Sequence, residues 1–271
     1  MELRDLQLKE LDILNECLKI IEKYNLRYFM LGGTFLGAIR HKGFIPWDDD
    51  IDIGMPRPDY EKFIEIAEKE LPDYLKLVSF KNDSNYKKYF IKIVNKNISF
   101  IREDTIEQNE TNLWIDIFPL DGMPNNRILR KVHAFKLLYR RVQFQYSVFN
   151  YGVNIRKKRP LHEQILIKLG YVYTKIVHLN VDKQLKKLDK LLQKYSYEKS
   201  TYVVNFMGAY KFKEMFPKSY YDNPIEYDFE NTKLIGASEY DKILTQMYGD
   251  YMRPPAENQR FSHSIKIEEK N

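Results

Sequence analysis

Between Gly32 and Gly54 the chain packs a glycine turn, the cationic run Arg40-His41-Lys42 and four aspartates, Asp48, Asp49, Asp50 and Asp52. Few purely structural segments need that combination. The turn Gly32-Gly33-Thr34 follows the apolar run Tyr28-Phe29-Met30-Leu31. It therefore reads as a tight strand-to-helix connection whose bare backbone N–H groups can approach a phosphate closely. The pattern Asp50-Ile51-Asp52-Ile53 alternates polar and apolar. As a strand it points Asp50 and Asp52 to one face and both isoleucines to the other. Two carboxylates converging on one spot repel each other, and a bound cation resolves the repulsion. Oxygen-only ligands select Mg²⁺ or Mn²⁺ over zinc.

Two blander readings compete. A calcium loop of the EF-hand type needs Gly directly after its third acid, where this chain has a strand-like Ile-Asp-Ile. A solvated acidic turn is at odds with Trp47, Ile51 and Ile53 in the same stretch.

A third acid is expected, because phosphoryl transfer needs a group that orients or deprotonates the attacking hydroxyl. Asp116 is the best choice. It lies within Trp114-Ile115-Asp116-Ile117-Phe118, an apolar strand where an unpaired charge is expensive. The alternative is a buried aspartate satisfied by backbone donors. Asp121 is weaker, since Asp121-Gly122 also makes an ordinary turn. Arg40, His41 and Lys42 are expected to reach phosphate oxygens or ring the site, with a structural hydrogen bond the competing role for His41.

Composition bounds the rest. The 271 residues are 44% hydrophobic and 30% charged, ordinary for a globular protein. The charged N-terminal dozen residues exclude a secretory signal, and no apolar run is long enough to span a bilayer, so a cytoplasmic location is expected. The single cysteine, Cys17, excludes an internal disulfide and a cysteine-rich zinc site. The formal charge is +6, part of it in Arg140-Arg141 and Arg156-Lys157-Lys158-Arg159. Such clusters suit an anionic partner: a nucleotide, a lipid-linked phosphate, a membrane surface or a nucleic acid.

Leu11, Leu14, Leu18 and Ile21 recur at helical spacing in an amphipathic but capless N-terminal helix. A second helix begins near Pro58 and ends at Pro72, with Tyr60, Phe63, Ile64, Ala67 and Leu71 on its buried stripe. Strands are expected over 75–80, 89–94, 98–102 and 113–118. Helices are expected over 127–150, 161–178 and 181–195, with their leucine and aromatic stripes read as core. There is no internal repeat. The fold class is α+β: a mixed β-sheet flanked by helices over residues 1–122 as the catalytic core, then a mainly helical region over 123–271 that completes the acceptor side. The segment Tyr248–Pro255, with its double proline, reads as a fixed loop, and His263 follows it.

Three blocks together resemble the LicD family of phosphotransferases, within the nucleotidyltransferase-fold superfamily and related to the fukutin-type ribitol-phosphate transferases. They are Leu31–Gly54, Trp114–Gly122 and Tyr248–His263. The resemblance implies a nucleotidyltransferase-like sheet and metal-dependent transfer of phosphocholine from CDP-choline, with release of CMP. The implied acceptor is a sugar hydroxyl of a teichoic-acid or other cell-surface glycan precursor, anionic and lipid-linked, reached at the inner face of the membrane. It places Asp50, Asp52 and Asp116 as catalytic and metal-binding acids for Mg²⁺ or Mn²⁺, and Gly32-Gly33-Thr34 at the donor phosphate. A related CDP-alcohol such as CDP-ribitol or CDP-glycerol is a second possible donor, and an aromatic cage is the expected receptor for choline. Two other readings remain: a nucleotidyltransferase moving a nucleoside monophosphate from NTP, and a non-catalytic nucleotide- or nucleic-acid-binding module. The second lacks the aromatic-interleaved basic strands of common RNA-binding sheets, so no nucleic-acid partner is expected.

Overall fold

The computed structural model describes residues 2–102, 110–149, 164, 168, 170, 171, 177, 179–257, 260, 265 and 266. The expected helix over 161–178, the cluster Arg156–Arg159 and His263 lie largely or wholly outside these residues. Helix α1 (Leu3–Lys23) buries Leu11, Leu14 and Ile21 as its periodicity predicts. It is not capless: the Asp5 carboxylate accepts from the Glu2 backbone N–H at 3.2 Å, satisfying a donor that the first turn leaves open. Strand β1 (Phe29–Met30) leads into helix α2 (Gly32–His41). Strand β2 (Asp52–Pro56) then feeds helix α3 (Arg57–Glu70), with Pro58 in its first turn.

Next come β3 (Leu75–Val78), β4 (Ile91–Arg102) and β5 (Glu110–Met123). The two apolar runs expected as separate strands over 89–102 form one strand whose register shifts between Asn95 and Ser99, as at a bulge. The central strand β5 runs parallel to β2 and antiparallel to β4. Its last residues, Asp121 to Met123, pair with β6 (Tyr202–Val204), which pairs in turn with β7 (Met215–Pro217). Pro119, lacking an N–H, falls where β5 has left β4 and not yet met β6.

Helices α4 (Arg127–Ser147) and α5 (Val181–Leu192) pack together over a second core of Leu137, Phe144, Leu185, Leu188 and Phe206. The hairpin β8 (Ile225–Phe229) and β9 (Thr232–Gly236), helix α6 (Tyr240–Tyr248) and the short β10 (Ile265–Lys266) complete the described chain. The α+β class holds, and from residue 123 onward α4, α5 and α6 hold more of the described residues than the strands do, though strands enter this region as well. Past residue 200 the described residues carry five strands and a single α-helix. Their apolar runs are too short for helices and find strand partners, β6 directly on the catalytic sheet. No helix among the described residues is long and apolar enough to cross a membrane.

Candidate active site

The parallel pairing of β2 and β5 sets Asp52 directly beside Asp116. Neighbours in register on parallel strands share a face, so two acids 64 positions apart in sequence become adjacent. Ile51, Ile53, Ile115 and Ile117 are buried on the opposite face, the alternation their sequence predicts. The Asp116 N–H donates to Ile51 O at 2.9 Å, which extends the pairing back toward Asp50.

The glycine turn meets these acids head-on. Leu31 N–H donates to Asp52 O, and Asp52 N–H donates to Thr34 Oγ at 2.8 Å. Gly32 has φ +49°, in the left-handed region, and a Cβ there would stand 3.2 Å from Asp52 Oδ2. A Cβ on Gly33 would stand 2.3 Å from Asp48 Oδ2, so only glycine lets that carboxylate lie against the start of α2. Asp48 therefore lies against the start of α2 beside Asp50 and Asp52. Burial, then the charges of Asp50 and Asp49, push its carboxyl up to about 8. Asp52 is driven well above the usual carboxylate range by burial, Asp50 and Asp116.

Asp48, Asp50 and Asp52 line a cavity of about 290 Å³ with Gly32, Gly33, Trp47, Phe118, Asn205, Tyr210, Glu214 and Tyr248, whereas Asp116 stands beside Asp52 without lining it. Several of these residues come from the C-terminal region. Asn205 Nδ2 donates to Glu214 Oε2 at 2.7 Å and the Tyr210 N–H to Glu214 Oε1 at 2.9 Å. Burial still raises the Glu214 carboxyl to about 7. Tyr210 and Tyr248 meet edge to face at 5.4 Å. The double-proline segment thus serves as more than a fixed loop, since its first residue, Tyr248, enters the cavity wall.

Asp116 faces the β4 side. The Lys92 ammonium lies 3.6 Å from Asp116 Oδ1 and 3.3 Å from the centroid of the Trp114 ring. Asp116 Oδ1 is nonetheless buried with no hydrogen-bond partner among the described residues. Glu10 of α1 was not anticipated. It is buried, its Oε2 likewise lacks a hydrogen-bond partner there, and burial followed by the charges of Asp50, Asp49 and Asp48 drives its carboxyl well up. Its only sequence signal is an acid on the apolar stripe of α1.

Arg40, His41 and Lys42 do not line this cavity themselves, though Arg40 and His41 stand behind its wall against the Trp47 ring, at 6.0 and 6.1 Å from its centroid. They sit at the opposite end of α2, a rise of about 12 Å from its glycines at 1.5 Å per residue. Arg40 donates to His41 Nε2 at 2.9 Å and to Tyr251 O at 2.7 Å. Lys42 is the left-handed cap, and its carbonyl accepts from Glu230 N–H. Asp121 is also placed elsewhere: Arg57 grips it with two hydrogen bonds of 2.7 Å each.

The donor set suits a hard cation, with crowded carboxylates, an Asp116 oxygen left without a donor and no thiolate nearby. Among the described residues no three such ligands converge on one point, so a cation would need oxygens from elsewhere to complete its shell.

Residues 25–151 match the family model described as LicD/FKTN/FKRP, nucleotidyltransferase domain. The chain is 31% identical over 270 residues to the lipopolysaccharide cholinephosphotransferase LicD of Haemophilus influenzae, covering 98% of this chain and 97% of that protein. The chain belongs to the LicD family. A shorter match, 47% identical over 36 residues, joins this LicD-family chain to ribitol 5-phosphate transferase FKRP of human and mouse, over 13% of the chain and 7% of those proteins.

Proposed function

We propose that this LicD-family protein transfers phosphocholine from CDP-choline to a sugar hydroxyl of a cell-surface glycan precursor, teichoic-acid precursors included, and releases CMP. The observation that carries this reading is the in-register pair Asp52 and Asp116 beside a cavity headed by Gly32 and Gly33. The near full-length similarity to a cholinephosphotransferase supports the choice of transferred group.

The N-terminus of α2 receives the donor diphosphate, where free N–H groups and the helix dipole favour negative charge. Asp50 and Asp52 would hold Mg²⁺ or Mn²⁺, with Asp116 beside Asp52 as the third acid, and donor-phosphate and water oxygens would supply the ligands that these carboxylates do not. When bound, that cation supplies charge neutralisation at the leaving phosphate. Asp116 accepts the proton of the acceptor hydroxyl while the oxygen attacks the phosphorus bearing choline. The bond from that phosphorus to the bridging oxygen breaks, and CMP leaves with the electron pair. Lys92 balances the Asp116 charge from across β4. A quaternary ammonium donates no hydrogen bond, and the Tyr210 and Tyr248 rings on the cavity wall give it π faces, each contact worth about 0.5–2 kcal/mol.

The test is CMP release from CDP-choline by the purified protein with Mg²⁺ and a glycan acceptor. Asp52→Asn and Asp116→Asn should each cut turnover by roughly a hundredfold or more, the scale of losing positioned electrostatic or acid–base groups. Full activity in folded Asp52→Asn refutes the assignment. Release of pyrophosphate from an NTP instead of CMP makes the protein a nucleotidyltransferase. A thermal-shift panel of CDP-choline, CDP-ribitol and CDP-glycerol with Mg²⁺ selects the donor.

A further inference from the structure

Helix α4 has two apolar faces, and among the described residues only one is packed. His133, Leu137 and Phe144 are buried against the second core. On the opposite side Ile128, Val132, Phe135, Tyr139 and Val142 follow one another at spacings of three and four residues, forming a continuous stripe. All five are exposed, Ile128 and Phe135 at 72% each. Leu129 and Leu138 widen the stripe on either flank and are exposed as well.

The charges on this helix have one sign. Its sequence carries Arg127, Arg130, Lys131, Lys136, Arg140 and Arg141 and no aspartate or glutamate. Arg130 stacks on Tyr202, and Arg141 donates to the carbonyl of Phe206, so these two turn inward. At 3.6 residues per turn, Arg127 and Lys131 border one edge of the stripe and Lys136 and Arg140 the other.

We infer that this face of α4 docks on an anionic lipid bilayer. A helix with an apolar stripe between two rows of cations lies in the interface plane, its apolar side chains among acyl chains and its long basic ones at headgroup phosphates. Charge complementarity selects this occupant. A second copy presenting the same face would set cations against cations. The chain following α4, with Arg156-Lys157-Lys158-Arg159, carries the same sign. The inward face of α4 also touches the active site: Arg141 holds the carbonyl of Gly208 at 3.4 Å, and Gly208 lines the acid cavity. A docked α4 therefore presents that cavity close to the bilayer surface.

The inference does not depend on which group is transferred, and its test needs no turnover. The full-length protein is mixed with phosphatidylcholine vesicles, with or without phosphatidylglycerol, in excess CDP-choline to occupy any choline site, and then floated on a density gradient. Wild type should float with the phosphatidylglycerol vesicles and lose them as salt rises. The double variant Val132→Glu/Phe135→Glu should bind them at least roughly tenfold more weakly, as should Lys131→Glu/Lys136→Glu. These side chains are exposed, so thermal melting should be unchanged and unfolding does not explain a loss. Equal flotation of wild type and Val132→Glu/Phe135→Glu overturns the inference, as does wild type that floats with neither vesicle. Dimerisation of lipid-free wild type that Phe135→Glu abolishes, without vesicle binding, assigns the face to a second copy and overturns it too.

Discussion

Removing the carboxylate charge at Asp121 tests whether the two aspartates of Trp114–Gly122, Asp116 and Asp121, divide into one that serves the proposed chemistry and one that holds the fold. Asp121 is 2% exposed and receives Arg57 Nε and Nη2 at 2.7 Å each. Arg57 also donates to the Tyr89 hydroxyl at 2.7 Å, which donates to Asp189 Oδ1 at 2.7 Å. Burial is the largest single influence and opposes the guanidinium charge, yet Asp121, Tyr89 and Asp189 together hold Arg57 well above its ordinary range. The pair therefore ties α3 and the end of β5 to α5. Asp121→Asn keeps the shape but takes from a buried guanidinium its two-hydrogen-bond partner, leaving only Glu61 at 3.0 Å and Asp189 at 3.6 Å, a loss of up to about 3–5 kcal/mol. For a chain of this size about 2–4 °C of melting temperature follows each kcal/mol, so a drop on the order of 10 °C is expected. The assay is a calorimetric or circular-dichroism melt of Asp121→Asn and of Arg57→Leu/Asp121→Leu, with CMP release measured at low temperature. The double variant should recover much of the loss, because replacing both partners removes the stranded charge. Refolded Asp121→Asn should keep most of its turnover. A melting temperature within about 2 °C of wild type, together with abolished turnover, refutes the reasoning and moves Asp121 into the chemistry.

The remaining expectations are briefer. Gly33→Ala places a methyl 2.3 Å from Asp48 Oδ2; it should raise the KM for the donor roughly tenfold by displacing that carboxylate, at a cost of about 1.4 kcal/mol, while the far-UV spectrum stays unchanged. Unchanged donor KM removes Asp48 from the site. The Glu214 carboxyl is raised by burial to about 7. A folded value above the unfolded one means stability is fully present below pH about 4.5 and lost as pH rises through 7, worth about 3 kcal/mol over that window. Denaturant titrations of metal-free protein should show that decline in wild type and a flatter profile in Glu214→Gln; parallel profiles contradict it. Asp116→Asn removes a buried acid beside Asp52 but also the partner of the buried Lys92 ammonium at 3.6 Å, two effects of opposite sign, so the melting temperature should move little even as turnover falls. A melt several degrees lower would assign Asp116 a structural role.

Local chemistry made much of the site legible. A glycine pair after an apolar run, and acids alternating with isoleucines, each specify a turn or a strand face through the periodicity of the backbone alone. The pattern of 127–150 likewise announced a helix, observed over Arg127–Ser147, but a stripe says only that a face is apolar, not that it is covered. In α4 one stripe is core and the other lies open. Arg40, His41 and Lys42 stand near the glycines in sequence, yet the rise of α2 carries them to its far end.

Sequence by itself determined part of the elements and their faces: the turn at Gly32-Gly33, the alternation of Asp50 and Asp52 with buried isoleucines, and the apolar strand holding Asp116. Tertiary structure decided which of these meet. The register of β2 on β5 put Asp52 next to Asp116, and strand pairing beyond residue 200 delivered Asn205, Glu214 and Tyr210 to the same cavity. The physical reason is that side-chain periodicity is a property of one segment, whereas register and neighbours arise from packing between segments far apart in the chain.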